Sequence, residues 1–206
     1  MRISTTARIV LAFGEIWMGT VTLAQERLAS PAGQSTTQIG GIYDERAGYV
    51  GGHWIEIRYG RPIKRGRDLF GPSDYVDFLN DGAPIWRAGA NVTTQLVTEV
   101  PLAFGVQVVP PGEYTVFIEL TTDPWTFIVS TWPAQQTYDY EDKEGLFGAY
   151  DYTPDKDIVR APMTRETLSY SYDQLSWQFL DMDHAGGRLA LFWDRTAASI
   201  PFTVGE

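Results

Sequence analysis

Five cations fall within ten residues: Arg58, Arg61, Lys64, Arg65 and Arg67. A planar guanidinium fork matches carboxylates and phosphates. Carried on a loop at the end of a strand, after Tyr59-Gly60-Arg61-Pro62, such a set can cradle an anion. The structural alternative is that these cations pair with acidic groups of the same chain. Residues 101–206 hold six Lys/Arg against sixteen Asp/Glu, whereas residues 1–100 hold ten of each. A second constellation is Trp86-Arg87-Ala88-Gly89-Ala90-Asn91. Gly89 permits a positive φ or a close backbone approach, and Asn91 can hydrogen-bond backbone or ligand. Arg87 needs acceptors, which come either from the protein or from a ligand; in the first case Arg87 clamps a corner and Trp86 caps the core. Arg61, Arg65, Trp86, Arg87 and Asn91 are therefore the candidate ligand contacts.

A third constellation is acidic: Asp139-Tyr140-Glu141-Asp142-Lys143-Glu144, and separately Asp181-Met182-Asp183-His184. Alternating carboxylates can ligate calcium, but neither segment has the spacing of a helix-loop-helix calcium loop, and turns favour Asp for local hydrogen bonds. No metal site or cofactor is assigned. Cysteine is absent, which removes disulfides, thiolate metal sites and a cysteine nucleophile. Only His53 and His184 are available as imidazoles. There is no Gly-x-Ser-x-Gly elbow, no His-x-x-x-His pair and no glycine-rich phosphate loop after a strand. A carboxylate pair for glycoside hydrolysis stays open, because spacing in sequence does not give spacing in space. The acidic balance, net −10, opposes general nucleic-acid binding.

The elements that must position these residues are strands. The chain has 206 residues, 44% of them hydrophobic and 14% aromatic, enough for one substantial core. Short runs of Val, Ile, Thr, Tyr, Phe and Trp alternate with Gly, Pro and Asp clusters. Ile55, Ile57 and Tyr59 share one strand face. Val92, Leu96 and Val100 mark another strand. Pro110-Pro111-Gly112 turns into a strand with Tyr114, Val116, Ile118 and Leu120 on one face, and Thr121–Pro124 turns back into Trp125, Phe127 and Val129. Leu168, Tyr170 and Tyr172, then Trp177 and Phe179, then Leu189, Leu191 and Trp193, then Ile200, Phe202 and Val204 read as four more strands, with a turn at Asp183–Gly187. Asp74–Leu79 predicts one or two helical turns, and Tyr138–Tyr150 a long surface connection with four aromatics. The expectation is an all-β, antiparallel sandwich or flattened barrel with little helix.

At the N-terminus Arg2 and Arg8 precede the apolar runs Ile9–Phe13 and Ile16–Met18, and Thr22-Leu23-Ala24 offers small residues for a peptidase. This predicts an export signal over residues 1–24, cleaved before Gln25, despite Glu15 within the apolar run. Residues 25–35 read as a flexible lead-in and residues 36–206 as one β domain. No later stretch reaches the length of a membrane span.

Tyr59-Gly60-Arg61-Pro62 with Arg65-Gly66-Arg67-Asp68-Leu69-Phe70-Gly71, Trp86–Asn91, and Pro111-Gly112-Glu113-Tyr114-Thr115-Val116-Phe117 resemble in order the hallmarks of the bacterial family called domain of unknown function 2911. Trp125–Ile128, Gly148-Ala149-Tyr150 and Asp157–Arg160 continue the resemblance, which spans residues 28–204. It implies an exported β-rich protein without an assigned reaction. Members of that family usually carry a histidine after the Ser-Pro of the first segment. Here Ser30-Pro31 is followed by Ala32 and Gly33, so any histidine chemistry of relatives is not expected in this chain. The resulting expectation is an exported, non-enzymatic domain that binds an anionic or polyhydroxylated small molecule or glycan. A hydrolase acting on an envelope polymer and a structural envelope protein are the alternatives.

Overall fold

The computed structural model describes residues 29–205. The predicted export signal and the first part of the lead-in lie outside the described residues. The first strand, β1 (Ala32–Asp44), starts inside the segment read as lead-in and pairs along its whole length with β2 (Gly48–Gly60). A short helix, α1 (Tyr75–Asn80), follows where one or two turns are expected. Then come β3 (Thr94–Thr98), β4 (Leu102–Phe104), β5 (Gln107–Val109), β6 (Gly112–Glu119) and β7 (Thr126–Ser130). A single 3-10 turn over Pro154–Lys156 leads into β8 (Asp157–Pro162), β9 (Thr164–Leu180) and β10 (Gly186–Val204).

These strands form two antiparallel sheets, ordered β1-β2-β3-β6-β7-β8 and β5-β4-β10-β9. They remain separate, so of the two expected architectures the sandwich is the one formed. Ile55, Ile57, Leu96, Val116, Ile118, Phe127 and Val129 of the larger sheet face Phe104, Trp177, Leu189, Leu191, Ile200 and Phe202 of the smaller. Alternation places these residues on the inner faces. Two departures from the sequence reading have physical causes. The four expected C-terminal strands are two long ones, because irregularities in pairing at Phe192/Asp194 and Asp194/Thr196 shift the inward phase without ending the strand. The β6–β7 pair is buried on both faces: Phe117 and Ile128 point away from the main core into a second cluster with Ile85, Leu146, Ala149 and Tyr152. The connection between β7 and the 3-10 turn, residues 131–153, therefore acts as a cover for the outer face of the large sheet. Among the described residues no helix is long and apolar enough to cross a membrane.

Candidate functional site

The end of β2 and the 86–91 segment come together through close backbone approach. A Cβ on Gly60 would lie 1.9 Å from the Ala90 carbonyl oxygen, and one on Gly89 would lie 2.9 Å from Thr94 Oγ1 and 3.1 Å from the Gly60 oxygen. Gly89 is thus the close-approach glycine, while the left-handed backbone falls on Ala88 (φ 53°) and Asn91 (φ 64°). The Ala88 carbonyl accepts from Thr94 Oγ1 at 3.2 Å and from Trp177 Nε1 at 3.0 Å, which holds the turn against both sheets. The 131–153 connection is fixed against the same corner: Thr93 Oγ1 donates to the Gly148 carbonyl at 2.7 Å. Gln135 ties the loop to itself, accepting from the Asp139 N–H and donating to the Asp142 carbonyl, both at 3.0 Å.

These segments enclose a groove of about 710 Å³. One wall is built from Tyr59, Gly60, Ala90 and Asn91; the other, from Gln136, Thr137, Tyr138 and Phe147, belongs entirely to the 131–153 connection. Ala29, Ser30 and Ala32 line one end. The Tyr138 and Phe147 rings pack edge to face with centroids 5.6 Å apart. The groove lining is mainly apolar, with Tyr59, Tyr138 and Phe147, and it includes the amides of Asn91 and Gln136 and the hydroxyls of Ser30 and Thr137. Lys, Arg, His, Asp and Glu are absent from that lining among the described residues.

The five residues singled out from sequence are distributed differently from the expectation. Asn91 lines the groove, and its Nδ2 donates to the Ser30 carbonyl at 2.9 Å. Trp86 is a core residue, 1% exposed, stacked on Trp193 with centroids 6.3 Å apart, and its backbone pairs with Ile118; its indole is closed to a ligand. Arg61 is a clamp to β9: Nε donates to the Leu175 carbonyl and Nη2 to Ser176 Oγ, each at 3.3 Å. Arg65 donates to the Ala29 carbonyl at 3.3 Å. Arg87 lies behind the groove wall, against Gly148 and under the Tyr150 ring. The five-cation run is thus dispersed. Arg58 pairs with Glu56, Lys64 with Asp194, and Arg67 donates to the carbonyls of Ile63 and Lys64. Among the described residues, Lys64–Asp194 is the only ion pair between this run and a carboxylate of the acidic half of the chain. Backbone carbonyls, which composition does not reveal, take most of the rest.

The acidic constellations are locally satisfied. Asp139 accepts from the Glu141 N–H and Asp142 from those of Glu144 and Gly145, while Asp183 accepts from Ala185 and Gly186. No group of three or more metal-ligating side chains lies together among the described residues. One carboxylate pair missed from sequence does form: Arg160 bridges Glu119 on β6 and Asp157 at the start of β8. Tyr152 donates to Asp157, and burial followed by that hydrogen bond pushes its phenol well above the usual range. One arginine held by both carboxylates, one from each of two strands of the same sheet, is a structural tie. His53 and His184 are both exposed, on the β1–β2 hairpin and in the β9–β10 turn.

The groove residues that sequence reasoning missed are Gln136, Thr137, Tyr138 and Phe147. Their only signal is an aromatic-rich connection too long for a simple turn. The family model described as "Protein of unknown function (DUF2911)" matches residues 44–202. Neither a curated protein nor a solved structure matches the chain.

Proposed function

The chain belongs to the DUF2911 family of proteins of unknown function, and from that premise we propose that it is an exported binding domain whose groove between Tyr59–Gly60, Ala90–Asn91 and Tyr138–Phe147 takes a neutral, polyhydroxylated ligand such as a saccharide. The observation that carries this reading is the groove lining itself. Aromatic faces offer apolar contact to the carbon skeleton of a sugar ring, and the amides of Asn91 and Gln136 with the Thr137 hydroxyl offer donors and acceptors to its hydroxyl groups. A formally charged ligand would enter a groove whose described lining supplies no countercharge, at the cost of desolvation. A hydrolase would need an acid and a base or nucleophile beside the bound ligand, and among the described residues no carboxyl or imidazole lines this groove.

Export is part of the proposal and rests on the N-terminal pattern of Arg2, Arg8 and the apolar runs ending at Ala24. Mass spectrometry of the protein recovered outside the cytoplasm reads it directly: Gln25 as first residue is expected, and an intact Met1 on cytoplasmic protein would remove export. Ligand-detected NMR with a panel of neutral oligosaccharides tests the groove. At least one member is expected to bind wild type and to lose binding in Phe147→Ala with the fold intact. Binding that Phe147→Ala and Asn91→Ala leave unchanged would move the site elsewhere.

A further inference from the structure

Arg87 sits in an arrangement that the groove does not use. Its side chain is 16% exposed, yet the guanidinium makes no hydrogen bond to any described residue, and Nε is fully enclosed without a partner. Among the described residues its one ion pair within 4.0 Å is with Asp81, at 3.9 Å from Nη2. That carboxylate is itself 66% exposed and already accepts from Tyr150 Oη at 2.9 Å. A pair so long and so open contributes little. The Tyr150 ring lies over the guanidinium carbon at 6.0 Å, a contact that stabilises the cation but supplies no acceptor. On the remaining side Gly148, with φ +69°, brings its backbone so close that a Cβ would stand 3.2 Å from Nη1.

A largely buried cation without acceptors is unfavourable in the empty protein. Its donors that reach solvent are on Nη1 and Nη2, whose parallel N–H groups match two oxygens of one anion. We propose that Arg87 is the binding residue of an oxyanion site distinct from the groove, taking a carboxylate, phosphate or sulfate on its Nη edge, with Asp81 as the internal competitor for that edge. None of Arg87, Asp81, Gly148 and Tyr150 lines the groove, so this site stands or falls separately from the saccharide reading.

The competitor supplies the test. The Arg87 Nε–H resonance, identified by its absence in Arg87→Lys, is followed by NMR while sodium phosphate, sulfate or acetate replaces sodium chloride at fixed ionic strength. A saturable shift is expected in wild type with at least one of the three, and Asp81→Asn, which removes the competing charge, tightens the same titration by about fivefold. Phosphate, sulfate and acetate differ in geometry and charge, and their order of affinity names the anion class. Thermal melts in chloride give a second readout. Arg87→Met is expected to melt at or above the wild-type temperature, because it replaces an unrewarded buried charge by an apolar chain and strands no buried partner. A resonance that no anion moves beyond the chloride control, in wild type and in Asp81→Asn alike, would overturn the proposal. So would a fall of several degrees in Arg87→Met with no anion response in wild type, which would make Arg87 a fold residue.

Discussion

Gly60→Ala probes the corner on which the groove depends. Gly60 ends β2, and its α-carbon faces the backbone of Ala90, so the new methyl would stand 1.9 Å from a carbonyl oxygen and 2.7 Å from its carbon, where ordinary contact begins at 3.4 Å. The obstacle is main chain on both sides and cannot rotate away. On one side β2 is registered to β1 and β3. On the other, the 86–91 turn is fixed by Thr94 and Trp177 at the Ala88 carbonyl. Overpacking of a rigid site costs about 3 kcal/mol at the upper end of its usual range, which for a domain of this size lowers Tm by about 6–12 °C. The matched control is Gly66→Ala, where φ is +75° and nothing lies within 4 Å of the new methyl. Only backbone strain of roughly 1–2 kcal/mol applies there. Thermal melts followed by near-ultraviolet circular dichroism compare the two. Because Gly60 also lines the groove, Gly60→Ala loses saccharide binding while Gly66→Ala keeps it. A Gly60→Ala protein no less stable than Gly66→Ala would refute the close approach of β2 and the 86–91 segment.

Three further outcomes are expected. Phe127→Ala and Trp125→Ala each cost about 3–5 kcal/mol in chemical denaturation, since both rings are fully buried; Phe127 meets Phe104 and Trp177, and Trp125 also donates Nε1 to Tyr75 Oη. Burial alone would raise the Asp194 carboxyl, but hydrogen bonds from Lys64, Ser171 and the Leu69 N–H outweigh it and hold the group below the usual carboxylate range. The stability this gives is present above the unfolded value of about 3.9 and is lost as pH falls through the folded value, so Asp194→Asn should show a shallower decline in stability below about pH 4 than wild type; parallel acid limbs would contradict it. Tyr152, raised by burial and by Asp157, should contribute no phenolate absorbance in an alkaline titration until the protein unfolds, so that native Tyr152→Phe and wild type titrate alike.

The fold was legible where one face of a strand is polar. Ile55, Ile57 and Tyr59 alternate with exposed or half-buried neighbours, and their face was assigned from sequence. On the β6–β7 hairpin the inward residues Val116, Ile118, Phe127 and Val129 were assigned as well, but the burial of the opposite face was not. Val116-Phe117-Ile118 and Phe127-Ile128-Val129 are unbroken apolar runs because one residue of each serves a second cluster under the 131–153 connection. Along β10 the inward faces were assigned but the continuity was not: Leu189, Leu191 and Trp193 point inward at odd positions and Ala198, Ile200 and Phe202 at even ones. A bulged strand of that kind reads as two. At the site, the 86–91 segment was identified from its composition, with Trp86 as core cap and Trp86 as ligand contact both open; the structure gives the first. Trp86 turned inward because its backbone bridges to Ile118, and Arg61 found acceptors on a strand more than a hundred residues away. The second groove wall has no periodicity to read, since Tyr138 and Phe147 are placed by the Gln135 and Thr93 hydrogen bonds to loop carbonyls.

The most direct test of the binding account is a map of backbone amide shifts on adding the best saccharide from the neutral panel. The account predicts saturable shifts confined to Gly60, Ala90, Asn91, Thr137, Tyr138 and Phe147 and their immediate neighbours. Shifts centred elsewhere, or none for any member of the panel, would contradict it.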